Sequence, residues 1–206
     1  MCEAEYYRIY RGFLDSVARA SLLAWAMENE KKFEPSVVGG GNKHDPSVRT
    51  SLFVRDFGPV KTVLHRRLLD LVPTLIRDLR VTPFEPSKVE LELVANNDGA
   101  FFERHIDMHI GATRRASDRL LSAVYYFHAE PKAFSGGALR LYSFGTKEDK
   151  GSFADVQPEQ NTLLVFPSWV SHQVLRVSCP SRRFSDSRFN VNCWVHRCSN
   201  RTPSQV

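Results

Sequence analysis

In the first third of the chain, apolar residues recur three to four positions apart, the spacing of one helix face. Residues 15–32 show this spacing after Asp15 or Ser16, either of which can act as the helix N-cap. A second apolar stripe follows Pro59, a residue suited to a first helical turn. Because Pro73 lies within that stripe, we expect it to kink or divide the second helix.

From residue 87 onward, apolar and polar residues alternate, as is typical of strands, and turn sequences such as DG, SGG, EQN and PS separate the runs. The predicted strands span residues 89–95, 120–128, 138–144, 161–167, 172–177 and 189–195. This order predicts a mostly β fold with N-terminal helices and a double-stranded β-helix core, also called a jelly-roll or cupin-like core.

We predict a single domain over residues 1–206. Within it, residues 1–86 form a helical support region with a loop, residues 87–197 form the jelly-roll catalytic core, and residues 198–206 form a tail. The loop at 36–51 contains three consecutive glycines, and it is either a plain connector or a lid over a site.

Composition narrows the class of protein without identifying its chemistry. Hydrophobic residues make up 42% and charged residues 25%, as in ordinary globular proteins. We find neither a membrane span nor a signal peptide, so we expect a cytoplasmic protein with four reduced cysteines. The net charge of +5 is spread along the chain, which argues against a nucleic-acid partner and leaves an anionic small molecule as a candidate.

A set of metal-binding residue types begins in the segment FFERHIDMH. His105 and Asp107 lie two positions apart, so on a strand their side chains project from one face. His172, after an apolar run and a turn, is the best third ligand from a distant strand. Two imidazoles and one carboxylate leave positions open on a metal ion. His109 would share this face if the strand continued, and we predict that it lines the pocket instead of binding the metal.

An open metal site of this kind needs a reductant, and a dicarboxylic oxoacid would need a cation for its far carboxylate. A guanidinium suits that carboxylate because it binds in a bidentate manner. The arginines after His172 are Arg176, Arg182, Arg183 and Arg188. The last of them opens a strand whose same-face residues are Asn190, Asn192 and Trp194. A row of such polar residues suits a pocket wall better than a hydrophobic core. Tyr125 and Tyr126 lie on opposite faces of their strand, so one of them must also face inward.

Five motifs, spread over residues 88–196, resemble the Fe(II)/2-oxoglutarate-dependent oxygenase superfamily in its prolyl 4-hydroxylase-like branch, which includes the hypoxia-sensing prolyl hydroxylases. They are VANNDGAFFERHID, VYYFHA, GGALRLY, the FPS that precedes His172, and Arg188 six residues before Trp194. The resemblance implies that His105, Asp107 and His172 bind Fe(II). It also implies that the 2-oxoglutarate co-substrate contacts Arg188, Tyr126 and Asn192.

Two positions depart from the family pattern. Ala95 stands where the prolyl hydroxylases often carry a tyrosine, so we expect a different pocket there. The interval from His172 to Arg188 is longer than usual, which makes residues 178–187 look like an inserted loop and leaves Arg183 as the fallback anchor.

The implied reaction hydroxylates an unactivated C–H bond while 2-oxoglutarate and O2 become succinate and CO2, with ascorbate as a candidate reductant. A carboxylate ligand at Asp107 favours hydroxylation over halogenation and leaves desaturation or ring formation open.

We expect a small-molecule or amino-acid-derived substrate, and a protein substrate is the alternative. The other classes of protein that stay open are a non-catalytic metal-binding cupin-like module and a nucleic-acid-binding protein. The predicted pocket rim comprises loops 36–51, 112–119 and 178–187. The candidate substrate-binding residues are His109, Arg114, Arg115 and Trp194.

Overall fold

The structure of the protein is a computed structural model that describes residues 6–38, 44–108, 117–143 and 152–198. Its helices are α1 (Ser16–Glu28) and α2 (Val60–Asp78), with 3-10 turns at Glu30–Lys32 and Phe184–Asp186. Its strands are β1 (Arg8–Arg11), β2 (Glu34–Pro35), β3 (Arg49–Thr50), β4 (Leu52–Val54), β5 (Pro86–Asn96), β6 (Phe101–His105), β7 (Ser117–Phe127), β8 (Ser135–Gly136), β9 (Leu139–Tyr142), β10 (Phe153–Val156), β11 (Thr162–Pro167), β12 (His172–Val174), β13 (Val177–Ser178) and β14 (Arg188–Cys198).

The strands form two antiparallel sheets that face each other, together with a short ribbon of β8 and β13. The larger sheet, here the major sheet, has the order β1-β11-β7-β14-β5-β4-β2. The smaller one, here the minor sheet, has the order β10-β9-β12-β6-β3. The predicted jelly-roll core behind N-terminal helices is therefore confirmed, although the strand expected at 172–177 is split into β12 and β13.

The two faces of the major sheet bury different side chains because strand residues alternate in direction. Tyr125 on β7 and Val191 on β14 point outward and pack with α1 and α2 in one apolar cluster. Val124 and Tyr126 point inward and pack with Leu139 and other residues of the minor sheet in a second cluster. The helices thus cover the outside of the major sheet, and the space between the sheets is left for a site.

Both predicted helices form, and two details differ from the expectation. Asp15 caps α1 by accepting a hydrogen bond from the Ala18 backbone amide, but Val17 in the predicted apolar stripe is 74% exposed. The helix α2 continues through Pro73, so the expected division at that residue is wrong. Its buried face packs along the major sheet, and this packing outweighs the loss of one backbone hydrogen bond.

The predicted loop at 36–51 is only partly a loop, because its last residues enter β3 and pair with β6. Residues 39–43, which contain the three glycines, lie outside the described residues, so the lid hypothesis stays a prediction. Neither described helix is long and apolar enough to cross a membrane. Cys179, Cys193 and Cys198 are free thiols, as expected, and Cys2 lies outside the described residues.

Asn161 joins the N-terminal segment to the major sheet. Its Oδ1 accepts hydrogen bonds from the Leu14 amide and the Tyr125 hydroxyl, both at 2.9 Å, and its Nδ2 donates to the Leu14 carbonyl at 2.8 Å. The backbone amides of Gly12 and Phe13 donate to the Asn161 carbonyl. Because Asn161 has a φ of 56°, a left-handed conformation that asparagine tolerates, one residue provides both the turn and the link.

We expect Asn161→Ala to lower the free energy of unfolding by about 2–4 kcal/mol, since it removes three half-buried hydrogen bonds and places alanine at a positive φ. Asn161→Gly removes the same bonds and relieves the backbone, so its loss should be about 1–2 kcal/mol smaller. Urea denaturation measures both values. Equal losses in the two variants would contradict the backbone part of this explanation.

Candidate metal and co-substrate site

A cavity lies between the two sheets and draws its walls from both. The minor sheet contributes His105 and His172, and the major sheet contributes the inward row of β14. Seven of the residues singled out in the sequence line this cavity: His105, Asp107, His172, Arg188, Asn190, Asn192 and Trp194. Tyr126 is not among its lining residues and lies behind them, against Arg188. The polar row on β14 is therefore a cavity wall, as its alternation predicts.

The side chains of His105, Asp107 and His172 converge at one part of the cavity. One ligand atom from each lies within 4.8 Å of the other two, and this is the one such group of three among the residues described. The Nε2 atoms of His105 and His172 lie 3.7 Å and 3.6 Å from the two oxygens of Asp107. Pairing of β6 with β12 sets the two imidazoles opposite each other.

Backbone carbonyls orient both imidazoles. The Nδ1 of His105 lies 2.7 Å from the Glu103 carbonyl, and the Nδ1 of His172 lies 2.9 Å from the Val170 carbonyl. Since a carbonyl only accepts, each Nδ1 carries the proton and each Nε2 presents a lone pair to the cavity. The His105 ring also stacks on Phe102 at 3.7 Å. Burial first, and the nearby His172 second, lower the pKa of His105 to about 4, which favours the neutral form that binds metals.

Asp107 reaches the same point without lying on a strand. The sequence predicts a strand through this position, but β6 ends at His105 and Asp107 follows in a bend. Its backbone amide donates to the Ser168 carbonyl, and its carboxylate accepts from the Ser122 hydroxyl at 2.7 Å. Burial acts to raise the pKa of Asp107, but the two imidazoles and the hydrogen bonds from Ser122 and Trp194 outweigh it and lower the pKa.

Arg188 and Tyr126 form a second, positively charged part of the site. Arg188 is 1% exposed, and its guanidinium lies 4.9 Å from the centre of the Tyr126 ring. The Nε and Nη2 of Arg188 and the Tyr126 hydroxyl are buried, and within the described part of the chain they have no hydrogen-bond partner except one another. The two nitrogens only donate and the hydroxyl can donate, so a carboxylate, which only accepts, fits them. Burial lowers the pKa of Arg188 and raises that of Tyr126.

Gly137 leaves the space that this guanidinium occupies. A Cβ atom at this residue would lie 2.6 Å from Cδ and 3.0 Å from Nε of Arg188. Its φ of 68° also disfavours any side chain. The second glycine of the GGALRLY motif therefore has a direct role in packing Arg188.

The structure bears on three expectations that came from counting residues along the chain. Ala95 belongs to the outer apolar cluster and faces away from the cavity, so it does not alter the pocket; its neighbour Asn96 faces inward. Arg183, the fallback anchor, is exposed and pairs with Asp186 at 2.9 Å. The segment 178–187 is held against the fold, because the side-chain Nδ2 of Asn97 donates to the Arg183 carbonyl and to the Ser187 hydroxyl.

The proposed rim is only partly within the described residues. His109, Arg114 and Arg115 lie outside them, so their roles in substrate binding stay predictions. Trp194 lines the cavity, and its ring lies under the Arg119 guanidinium at 3.9 Å.

The sequence of residues 91–196 matches the family model of the 2OG-Fe(II) oxygenase superfamily. The match covers slightly more than half of the chain. The chain belongs to this superfamily. It is also 31% identical over 199 residues to an uncharacterized PKHD-type hydroxylase from Synechocystis sp.. The aligned region covers 94% of this chain and 64% of the relative. The chain thus spans less than two thirds of the length of that relative.

Solved structures agree with the superfamily fold. A Pseudomonas putida prolyl-4-hydroxylase superposes with a TM-score of 0.68 at 22% identity, over 93% of this chain and 92% of that one. A Trichoplax adhaerens prolyl hydroxylase in complex with a hypoxia-inducible-factor peptide superposes with a TM-score of 0.65 at 18% identity, over 92% of this chain and 83% of that one. At these identities the likeness concerns the fold alone.

Sequence reasoning missed two inward residues, Arg49 and Ser122. Arg49 lies on a strand of two residues beside a polar loop, where the alternation is too short to detect. Ser122 interrupts an apolar strand, and that break in the pattern was the signal available. Both lie near the metal-binding set.

We expect Asp107→Ala to weaken Co(II) binding by at least about 100-fold, because it removes the one anionic donor of the set. Co(II) absorption measures the affinity, and thermal unfolding without metal checks the fold. Asp155→Ala is the matched control, since that carboxylate lies on the same minor sheet and pairs with Arg140 on the surface. Unchanged Co(II) affinity in Asp107→Ala would show that this is not the metal site.

Proposed function

We propose that the protein is an Fe(II)/2-oxoglutarate-dependent dioxygenase that hydroxylates an unactivated C–H bond of a small-molecule or amino-acid-derived substrate. The observation that carries this proposal is the pairing of two features in one cavity. Two imidazoles and a carboxylate converge on one point, and Nε and Nη2 of the buried Arg188, beside the Tyr126 hydroxyl, face no carboxylate among the described residues. A cupin-like module that only bound metal would have no use for the second feature.

Each residue has a distinct task in this proposal. His105, Asp107 and His172 would hold the iron, which, with 2-oxoglutarate and O2, supplies the oxidation that yields succinate and CO2. Arg188 and Tyr126 would bind the far carboxylate of 2-oxoglutarate and so orient the molecule. Val124 and Leu139 give the cavity an apolar wall, which limits the access of water to this charged pair and strengthens its interaction.

Arg49 supports a substrate that carries an anionic group. It is buried, lines the same cavity as His105, and packs over the Phe102 ring at 5.0 Å. Its Nε donates to the Ser51 hydroxyl at 2.9 Å, and no ion pair involves it among the described residues. Burial lowers the pKa of Arg49, although Glu92 and Asp107 oppose this effect. A carboxylate on the substrate, as in a free amino acid, would compensate this guanidinium.

A peptide substrate is the second candidate, because two of the similar folds are prolyl hydroxylases and one of them holds a peptide. A carbonyl of a peptide could also accept from Arg49, but it would leave the charge without a counter-ion. For this reason we place a small anionic substrate first. Succinate release measured with amino acids, other small carboxylic acids and prolyl peptides separates the candidates. Release that only peptides stimulate would reverse their order, and a lack of release with any of them would favour a non-catalytic module.

We expect Arg188→Met to raise the 2-oxoglutarate KM by at least about 30-fold, because loss of one partner of a buried charge pair costs about 2–5 kcal/mol. Methionine keeps an apolar stem in the core, so the fold should survive. The control is Arg183→Met, the same change at the exposed fallback position, which should leave KM unchanged. A raised KM in the control alone would move the anchor to Arg183.

We expect Arg49→Met to raise the KM of an anionic substrate by about 10- to 100-fold, while slow substrate-free consumption of 2-oxoglutarate continues. The control is Arg55→Met, because Arg55 also packs over a phenylalanine, Phe53, but on the surface. Steady-state succinate formation with and without substrate gives both values. An equal effect of Arg49→Met on neutral and anionic substrates would argue against a charge interaction.

A further inference from the structure

An asparagine, Asn190, accepts a hydrogen bond from the Arg188 guanidinium where a buried arginine would usually have an acidic partner. We propose that Asn190, fixed in turn by Asn96, is a positioning residue that orients Arg188 while leaving its positive charge uncompensated for the far carboxylate of 2-oxoglutarate. This inference rests on the proposed function. Asn190 and Asn96 would influence binding by orienting Arg188, and they would not contact the reacting atoms themselves.

The hydrogen bonds around Asn190 give it this position. Its Oδ1 accepts from Nη1 of Arg188 at 2.8 Å and from Nδ2 of Asn96 at 2.8 Å. The same Nδ2 of Asn96 also donates to the Arg188 carbonyl at 3.1 Å. Arg188, Asn190 and Asn96 are all buried, and Asn96 is the cross-strand partner of Arg188 on β5. The group is therefore held from two strands in the middle of the major sheet.

The amide of Asn190 has only one orientation that satisfies these contacts. Two donors meet its oxygen, so its nitrogen must point the other way, and it donates to Oδ1 of Asn192 at 2.7 Å. One guanidinium nitrogen of Arg188 is thus occupied. The remaining two, Nε and Nη2, are buried, and the Tyr126 hydroxyl is the one polar group that they face among the described residues. Asn190 consequently selects which edge of the guanidinium a ligand can bind.

The charge of Arg188 is left uncompensated by this arrangement. Other arginines of the protein pair with acids: Arg119 with Glu90, Arg140 with Asp155 and Arg182 with Asp98. Among the described residues no carboxylate forms an ion pair with Arg188. An amide oxygen accepts a hydrogen bond as a carboxylate does, but it carries no net charge. A carboxylate at position 190 would form a buried ion pair and compete with an incoming anion.

This difference allows a substitution that separates charge from structure. Asn190→Asp keeps the shape and the acceptor oxygen, and it adds the charge that the proposal excludes. It loses the donor to Asn192, but the Asn192 amide can turn its own nitrogen towards the new oxygen. Asn190→Ala removes the acceptor altogether. The control is Asn97→Asp, which makes the same chemical change in the residue next to Asn96. The Asn97 side chain faces the 178–187 segment and not the cavity.

The experiment measures 2-oxoglutarate binding to the Mn(II)-loaded full chain by calorimetry without oxygen, together with Mn(II) affinity and thermal unfolding of each variant. We expect Asn190→Asp to weaken 2-oxoglutarate binding by about 100-fold without lowering the unfolding temperature or the Mn(II) affinity. We expect Asn190→Ala to weaken binding by about 10-fold and to lower the unfolding temperature. Asn97→Asp should bind 2-oxoglutarate as the wild-type protein does.

Two results would overturn the inference and leave the proposed function intact. One is wild-type affinity for 2-oxoglutarate in Asn190→Asp. The other is a loss of affinity in Asn190→Asp that comes with the same drop in unfolding temperature as Asn190→Ala, since this would reveal a structural role only. Failure of the wild-type protein to bind 2-oxoglutarate would overturn the proposed function, and this inference with it.

Discussion

Strand β14 pairs with both β5 and β7 in the middle of the major sheet, and the rest of the structure depends on the contrast between its two faces. The outward residues, such as Val191, are apolar and hold the helices. The inward residues begin with Arg188 and continue with two asparagines and a tryptophan. Because side chains alternate strictly along a strand, burial of one face fixes the position of the other. Packing against the helices therefore determines where the charged end of the cavity lies.

Neutral groups do most of the positioning in this site. Backbone carbonyls set the tautomers of His105 and His172, the Ser122 hydroxyl orients Asp107, and the Asn190 side-chain amide orients Arg188. None of these supports changes the net charge of the cavity. The ionic interactions of the site are consequently left to the groups that would bind metal and co-substrate.

Alternation and turn sequences were enough to predict the jelly roll, both helices and the inward row that begins at Arg188. A count of residues back from His105, across the turn before β6, points to Ala95, which faces outward. Its neighbour Asn96 faces the cavity, because successive side chains of a strand point to opposite faces. Asp107 was predicted on a strand, but a contact with distant Ser168 holds it. Arg49 was missed because its strand is too short for any periodicity. The Asp107 contact joins residues far apart in sequence, and spacing along the chain does not reveal it.

The helices cover the outside of the major sheet, which carries Arg188, whereas His105 and His172 belong to the minor sheet. A molecule held at both ends of the cavity would therefore connect the two halves of the sandwich. Its binding free energy would add to the free energy of unfolding of the whole jelly roll, by mass action. In such an architecture, saturation with metal and co-substrate acts as a reversible cross-link between sheets that are otherwise joined mainly by apolar packing.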